Sequence, residues 1–296
     1  MTTANDLIDA TLDFLHGGQD EAVNTLAAAP DADDTTLTFT YDLDGIVPGV
    51  TLGIGLEVVR VLDTATSTKT ATVLRGQRGS SGASHSIGDV VAVAPRFSRW
   101  SVFRAINDDL DDLSGRGLFK MATVDLTFNP SVQGYNLTSV TNLDSIYSVR
   151  YEVPGPSKEW PLIPSSHYRF DRNADTDDFA SGFSLVIFKG GYAGKSIRVA
   201  YKAPFTRLST ATDDVQTVSG LPATANDLPP LGAALRLQAG HESGRVAYES
   251  QPDTRRPDEV PVGANLQVAS GWRRLREDRI DSELKRLARH YPTRKH

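Results

Sequence analysis

The stretch Ala71-Thr-Val-Leu-Arg-Gly-Gln-Arg-Gly-Ser-Ser-Gly-Ala-Ser-His-Ser-Ile-Gly-Asp-Val-Val-Ala-Val-Ala-Pro95 decides how the first half of the chain is read. Residues 70–74 and 90–94 are rich in β-branched side chains and suit strands. Between them Gly76, Gly79, Gly82 and Gly88 offer backbone conformations that residues with a Cβ avoid. The expectation is a hairpin with a wide loop.

Two catalytic readings of that loop fail on the residues themselves. A nucleophile elbow requires G-x-S-x-G on a strand-to-helix turn, and a phosphate-binding loop requires a Lys before the Ser or Thr that opens a helix. Ser84-His85 lies instead in a loop that returns to a strand, so both residues are read as turn residues dispensable for assembly.

Working outward, 296 residues suggest more than one module, and 39% hydrophobic with 23% charged residues fits a globular chain able to bury cores. No run of 18 or so apolar residues and no basic-then-apolar start occurs, so neither a membrane span nor a signal peptide is expected. With zero cysteines, disulfides, thiolate chemistry and the common zinc sites are excluded, and the six His form no H-E-x-x-H pair. No cofactor, no metal and no catalytic set is expected.

The net charge of −6 conceals an asymmetry. Residues 1–34 hold Asp6, Asp9, Asp13, Asp20, Glu21, Asp31, Asp33 and Asp34 without a Lys or Arg. From Trp272 onward Arg273, Arg274, Arg276, Arg279, Lys285, Arg286, Arg289, Arg294 and Lys295 outweigh Glu277, Asp278, Asp281 and Glu283. Opposite ends of this kind suit contacts between subunits, attraction of the basic end to nucleic acid, or a solvated helix face.

The pattern along the chain predicts an α+β protein: two small antiparallel β modules, barrel or sandwich, joined by a helix, plus an α-helical C-terminal segment. Segments 1–34 (acidic helix and linker), 35–96 (first β module), 97–117 (connecting helix), 118–210 (second module, a β-sandwich) and 211–296 (helical end) follow from it. Leu7, Ile8, Leu12 and Leu15 share one helical face, as do Val102, Phe103, Ile106, Leu110 and Leu113. Asp108, Asp109, Asp111 and Asp112 then read as a solvated face, not a Mg²⁺ site. In the second module strands are expected at 122–128, 146–153, 168–171, 183–188 and 196–203. Asp171-Arg-Asn-Ala-Asp-Thr-Asp-Asp178 starts like a calcium loop, but Thr176 and Gly182 replace the required Gly and Glu, leaving a polar loop with Asx-type turns. Trp160 reads as a packed loop anchor in preference to a sugar-stacking ring. Residues 228–240 suit a short buried helix and 241–265 a long loop with Arg255-Arg256. Residues 266–291 suit an amphipathic helix with Leu275, Ile280, Leu284 and Leu287 inward and the arginines outward.

The pattern R-G-x-x-G…H-x-x-G-D-x-V at Arg75 to Val91, L-P-P-L-G-A-A-x-R-L at Leu228, R-R-x-x-E-V-P at Arg255 and R-I-x-x-E-x-x-R-L-x-x-x-Y-P at Arg279, in this order, resembles proteins of actinobacterial siphophages. The resemblance implies a non-enzymatic virion component made in the host cytoplasm and placed at the head–tail junction. In that role it would be a ring-forming head-to-tail adaptor, as a dodecamer if it matches a portal. The alternative is a minor tail, baseplate or fibre-associated protein, which should carry an aromatic-lined groove. For an adaptor the interaction residues would be Arg255, Arg256, Arg273, Arg274, Arg276, Arg279 and Leu284. Partners would be other copies, a portal and neighbouring neck or tail proteins, with non-specific contact to packaged DNA and no membrane.

Overall fold

The computed structural model describes the chain except residues 18–20, 133, 138–139, 141–142, 157–158, 250–263 and 293–296, and side chains are described outside 240–268. The fold is mixed α+β with antiparallel sheets and a C-terminal helix. It divides into two compact units: Met1–Asp112 with Arg207–Asp281, and Leu113–Thr206 with Ser282–His296.

Unit 1 begins with α1 (Ala4–His16), where Thr3 and Asp6 form a reciprocal capping box and Gly17 closes the helix in the left-handed conformation. Leu7 and Ile8 are buried, and α1 packs on α4, introduced below. Six strands follow: β1 (Val23–Thr25), β2 (Thr36–Thr38), β3 (Thr51–Ile54), β4 (Glu57–Ala65), β5 (Thr70–Leu74) and β6 (Val90–Val93), ordered β1-β6-β3-β4-β5-β2. A Leu26–Phe39 bridge, with Ala27 N donating to Thr38 O and Thr40 N to Thr25 O, joins the two edge strands. Joining the edges rolls the sheet into a barrel, and it satisfies backbone groups that open edges would expose. Alternate residues such as Ala71, Val73, Val91 and Val93 point into a core with Leu26, Leu37, Phe39, Leu52 and Ile54.

The expected hairpin is corrected here. β5 pairs with β4 and β2, whereas β6 pairs with β1 and β3, so the two strands are not neighbours. The long glycine loop crosses between separate positions in the barrel, a pairing that local alternation does not specify.

The other α-helices of unit 1 are the first part of α2 (Arg99–Gly115), α3 (Val215–Ser219), α4 (Leu228–Glu249) and most of α5 (Ala264–His290). α4 runs past Gly240, where a loop was expected, because the next proline is Pro252 and an interior glycine costs a helix only about 1 kcal/mol. The rest of that expected loop, with Arg255 and Arg256, lies outside the described residues.

Unit 2 is a β-sandwich. One sheet is β10-β9-β13-β7 and the other β11-β12-β8, built from β7 (Lys120–Thr127), β8 (Gly134–Asn136), β9 (Ser145–Tyr151), β10 (Leu162–Ile163), β11 (Tyr168–Asp171), β12 (Ser184–Ile187) and β13 (Ser196–Ala203). Val149, Ile163, Ile197 and Val199 of the first sheet meet Leu185, Ile187 and Tyr135 of the second in one core, and Leu137, Val140 and Leu143 form another. In the loop after β11, Asn173 N donates to Asp171 and Asp177 N to Asp175, the Asx turns expected there.

Candidate functional site

The glycine loop of unit 1 is organised around a side chain that the sequence reading did not single out. Glu57 opens β4 facing inward, and its carboxylate is fully buried. Its Oε1 accepts from Arg75 Nε (2.7 Å) and Gly76 N (3.2 Å). Its Oε2 accepts from Arg75 Nη2 (2.7 Å), Ala83 N (3.1 Å) and His85 Nε2 (2.8 Å). Arg75 spends its remaining N–H groups on the carbonyls of Asp31, Asp34 and Ala83, so all five guanidinium donors are used. Burial pushes the Glu57 carboxyl up, but the bonds from Arg75, His85, Ala83 and Gly76 outweigh it and hold the group at about 2.

The motif's Arg and His therefore serve one purpose, to seat a buried carboxylate that ties the loop to the barrel. Gly76, Gly79 and Gly88 take left-handed conformations, and so does Arg78. Gly82 does not. It is glycine because a Cβ would lie 2.6 Å from the Ala32 carbonyl oxygen. Ser84 is exposed, and His85 turns both ring nitrogens to carboxylates, Glu57 at 2.8 Å and Asp89 at 3.7 Å. His85 thus braces the loop through its side chain, a contact that its reading as a turn residue did not include.

The acidic face of α2 is also corrected. Asp109 is completely buried, and Arg276 Nη2 bridges it (2.6 Å) to Asp112 (2.7 Å). Arg236 of α4 approaches both at 3.6 and 3.8 Å. Gly232 of α4 leaves room for the Asp109 carboxylate, which a Cβ there would strike. Asp108 and Asp111 share Arg207 instead. Burial raises the Asp109 carboxyl to about 6, against the opposing pull of Arg276 and Arg236. Among the described residues no group of three or more His, Asp or Glu is arranged to hold a metal ion.

The terminal helix turns Ile280 and Leu287 inward as expected, but departs from the expected face at Leu275 and Arg276. Leu275 is 53% exposed, while Arg276, Ile280, Glu283 and Leu287 are buried. These four recur every three or four residues and define the inward stripe, which Leu275 misses by one position. Leu284 is half-buried and lies beside Gly117 in unit 2. Arg279 forms a two-toothed pair with Asp227 (2.7 and 2.9 Å) and bonds Thr224 O. Of the described interaction residues, Arg273 and Arg274 are exposed, and Arg276 and Arg279 are engaged in unit 1.

In unit 2 the Trp160 ring is faced by the Arg198 guanidinium at 4.3 Å, and Arg198 is held in turn by Asp125 through two 2.8 Å bonds. A groove of about 560 Å³ bounded by Ser114, Phe119, Asp144 and Lys202 offers mixed walls, with Lys202 over the Phe119 ring at 4.4 Å. Among the described residues no helix is long and apolar enough to cross a membrane. Compared with known proteins, the chain matches no family model and no curated protein.

Proposed function

We propose that the chain is a non-enzymatic structural component of a phage virion, a ring-forming head-to-tail adaptor that docks on a portal and joins head to tail. The observation that supports a structural role is the saturation of its catalytic-looking set. Glu57, Arg75 and His85 spend their polar groups on one another and on the backbone, so the set offers no free base to a substrate. The resemblance of the Arg75–Val91 and Arg279–Pro292 patterns to siphophage proteins supplies the virion context. Partners in this reading are further copies, the portal and adjoining neck or tail proteins, with DNA contact secondary because Arg276 and Arg279 are engaged internally.

The minor-tail or fibre reading would need an aromatic groove for sugars, and the Trp160 face is occupied by Arg198. Gold-labelled antibody against the chain, imaged on intact virions, tests the proposal. Label at the head–tail junction is expected, and label along the tail or at its tip would overturn it.

A further inference from the structure

The inward stripe of α5 carries a charge into the interior of unit 1. Asp109 of α2 is completely buried, and Arg276, itself buried, reaches it from α5. The Asp109 carboxyl lies flat against Gly232 of α4, where a Cβ would stand 1.9 Å from Oδ1 and 2.4 Å from Oδ2. Three helices therefore meet at one acid.

The two oxygens of that acid are served unequally. Oδ1 takes the 2.6 Å bond from Arg276 Nη2 and faces Arg236 Nε of α4 at 3.6 Å. Oδ2 is buried with no hydrogen-bond partner among the described residues, and Arg276 Nε is in the same position. The other charged group acting on the junction is Asp112 of α2, which shares Arg276 Nη2 (2.7 Å) and lies 3.8 Å from Arg236. Asp108 and Asp111 are turned to Arg207 instead. A buried carboxylate with one unserved oxygen is costly, whereas a neutral carboxyl can carry its proton on that oxygen.

We infer that Asp109 is a proton-operated catch for α5: a proton taken from solvent onto Oδ2 tightens the docking of α5 on α2 and α4, and its return to solvent loosens it. Burial raises the Asp109 carboxyl from its ordinary 3.8 to about 6 while the helices are packed. Release of α5 admits water and brings the group back towards its ordinary value. A group raised in the packed state stabilises that state fully below its ordinary value, and the contribution is lost as pH rises through about 6. From pH 7 to pH 5 the packed form should gain roughly tenfold over the released one. The catch does not depend on the ring-forming reading.

Amide hydrogen exchange of the full chain between pH 5 and pH 7, with each rate divided by the intrinsic rate at that pH, tests the catch. The amides to follow are those of α5 between residues 270 and 281 that exchange faster than the slowest amides of the barrel, because these report local release of the helix. Their protection should be roughly tenfold greater at pH 5 than at pH 7, with a midpoint near 6. Asp109→Asn should abolish the change, and Asp108→Asn, at an exposed position, should keep it. Arg236→Gln, at a half-exposed position, removes a charge that holds the Asp109 carboxyl down, so the midpoint should move above 6. Protection that does not vary with pH, that varies equally in Asp109→Asn, or that keeps its midpoint in Arg236→Gln overturns the catch. So does exchange of these amides only together with the slowest ones of the barrel, since α5 then has no release of its own to regulate.

Discussion

The barrel and the helices of unit 1 each bury a carboxylate against arginine, yet the two groups are driven in opposite directions. Glu57 is held at about 2 and Asp109 is raised to about 6. Burial disfavours the charge at both. The difference lies in the donors: Glu57 receives five hydrogen bonds, two of them from backbone N–H groups that bring no conformational freedom of their own. Asp109 receives one short bond from Arg276, which it shares with Asp112. A buried charge stabilises a fold when its lone pairs are filled, and strains it when they are not.

Removing the better-filled site should therefore cost more. Glu57→Ala strands the buried Arg75 and the loop N–H groups, and should lower unfolding free energy by about 3–5 kcal/mol in urea denaturation. A loss below about 1 kcal/mol would mean that the brace is ornamental. His85→Ala removes one of the five donors and should cost about 1–2 kcal/mol by the same measurement. Asp109→Asn keeps the shape but resembles the protonated acid, a form about tenfold less populated than the carboxylate at pH 7, so its effect there should be about 1–2 kcal/mol. Ser84→Ala, at an exposed position, should stay within about 0.5 kcal/mol.

The pH dependence sharpens the same contrast. The depressed Glu57 group stabilises the fold above its unfolded pKa, and that stability is lost as pH falls towards 2. The raised Asp109 group does the reverse: its contribution is complete below its unfolded value and is lost as pH rises through about 6. Between pH 7 and 5, wild-type stability should gain a component that Asp109→Asn lacks and Glu57→Gln retains. Urea midpoints across that interval check it, and identical slopes for all three proteins would contradict it.

Much of the fold was legible in the residues. The strands at 168–171 and 196–203 coincide with β11 and β13, and the helices near 5–15 and 97–113 match α1 and α2 within a few residues, because periodicity registers which face is apolar. Partners were not legible. The hairpin reading failed since alternation gives the inward side chains of β5 and β6 but not their neighbours in the barrel. Glu57 precedes Arg75 by 18 positions, and nothing in the spacing ties them together. Leu275 and Arg276 exchanged roles because hydropathy ranks leucine inward, and it is blind to the buried Asp109 that pairs with Arg276 from 167 positions away in the sequence.

The most direct test is a carbon-13 carboxyl titration of the folded chain, with Glu57 and Asp109 assigned by substitution. A buried carboxyl with unfilled lone pairs titrates above its ordinary value, whereas one filled by donors stays ionised well below it. The account predicts Glu57 ionised down to about 2 and Asp109 titrating near 6. A Glu57 that instead takes up its proton near neutrality would make the loop a candidate acid–base site and would contradict the structural role proposed for the chain.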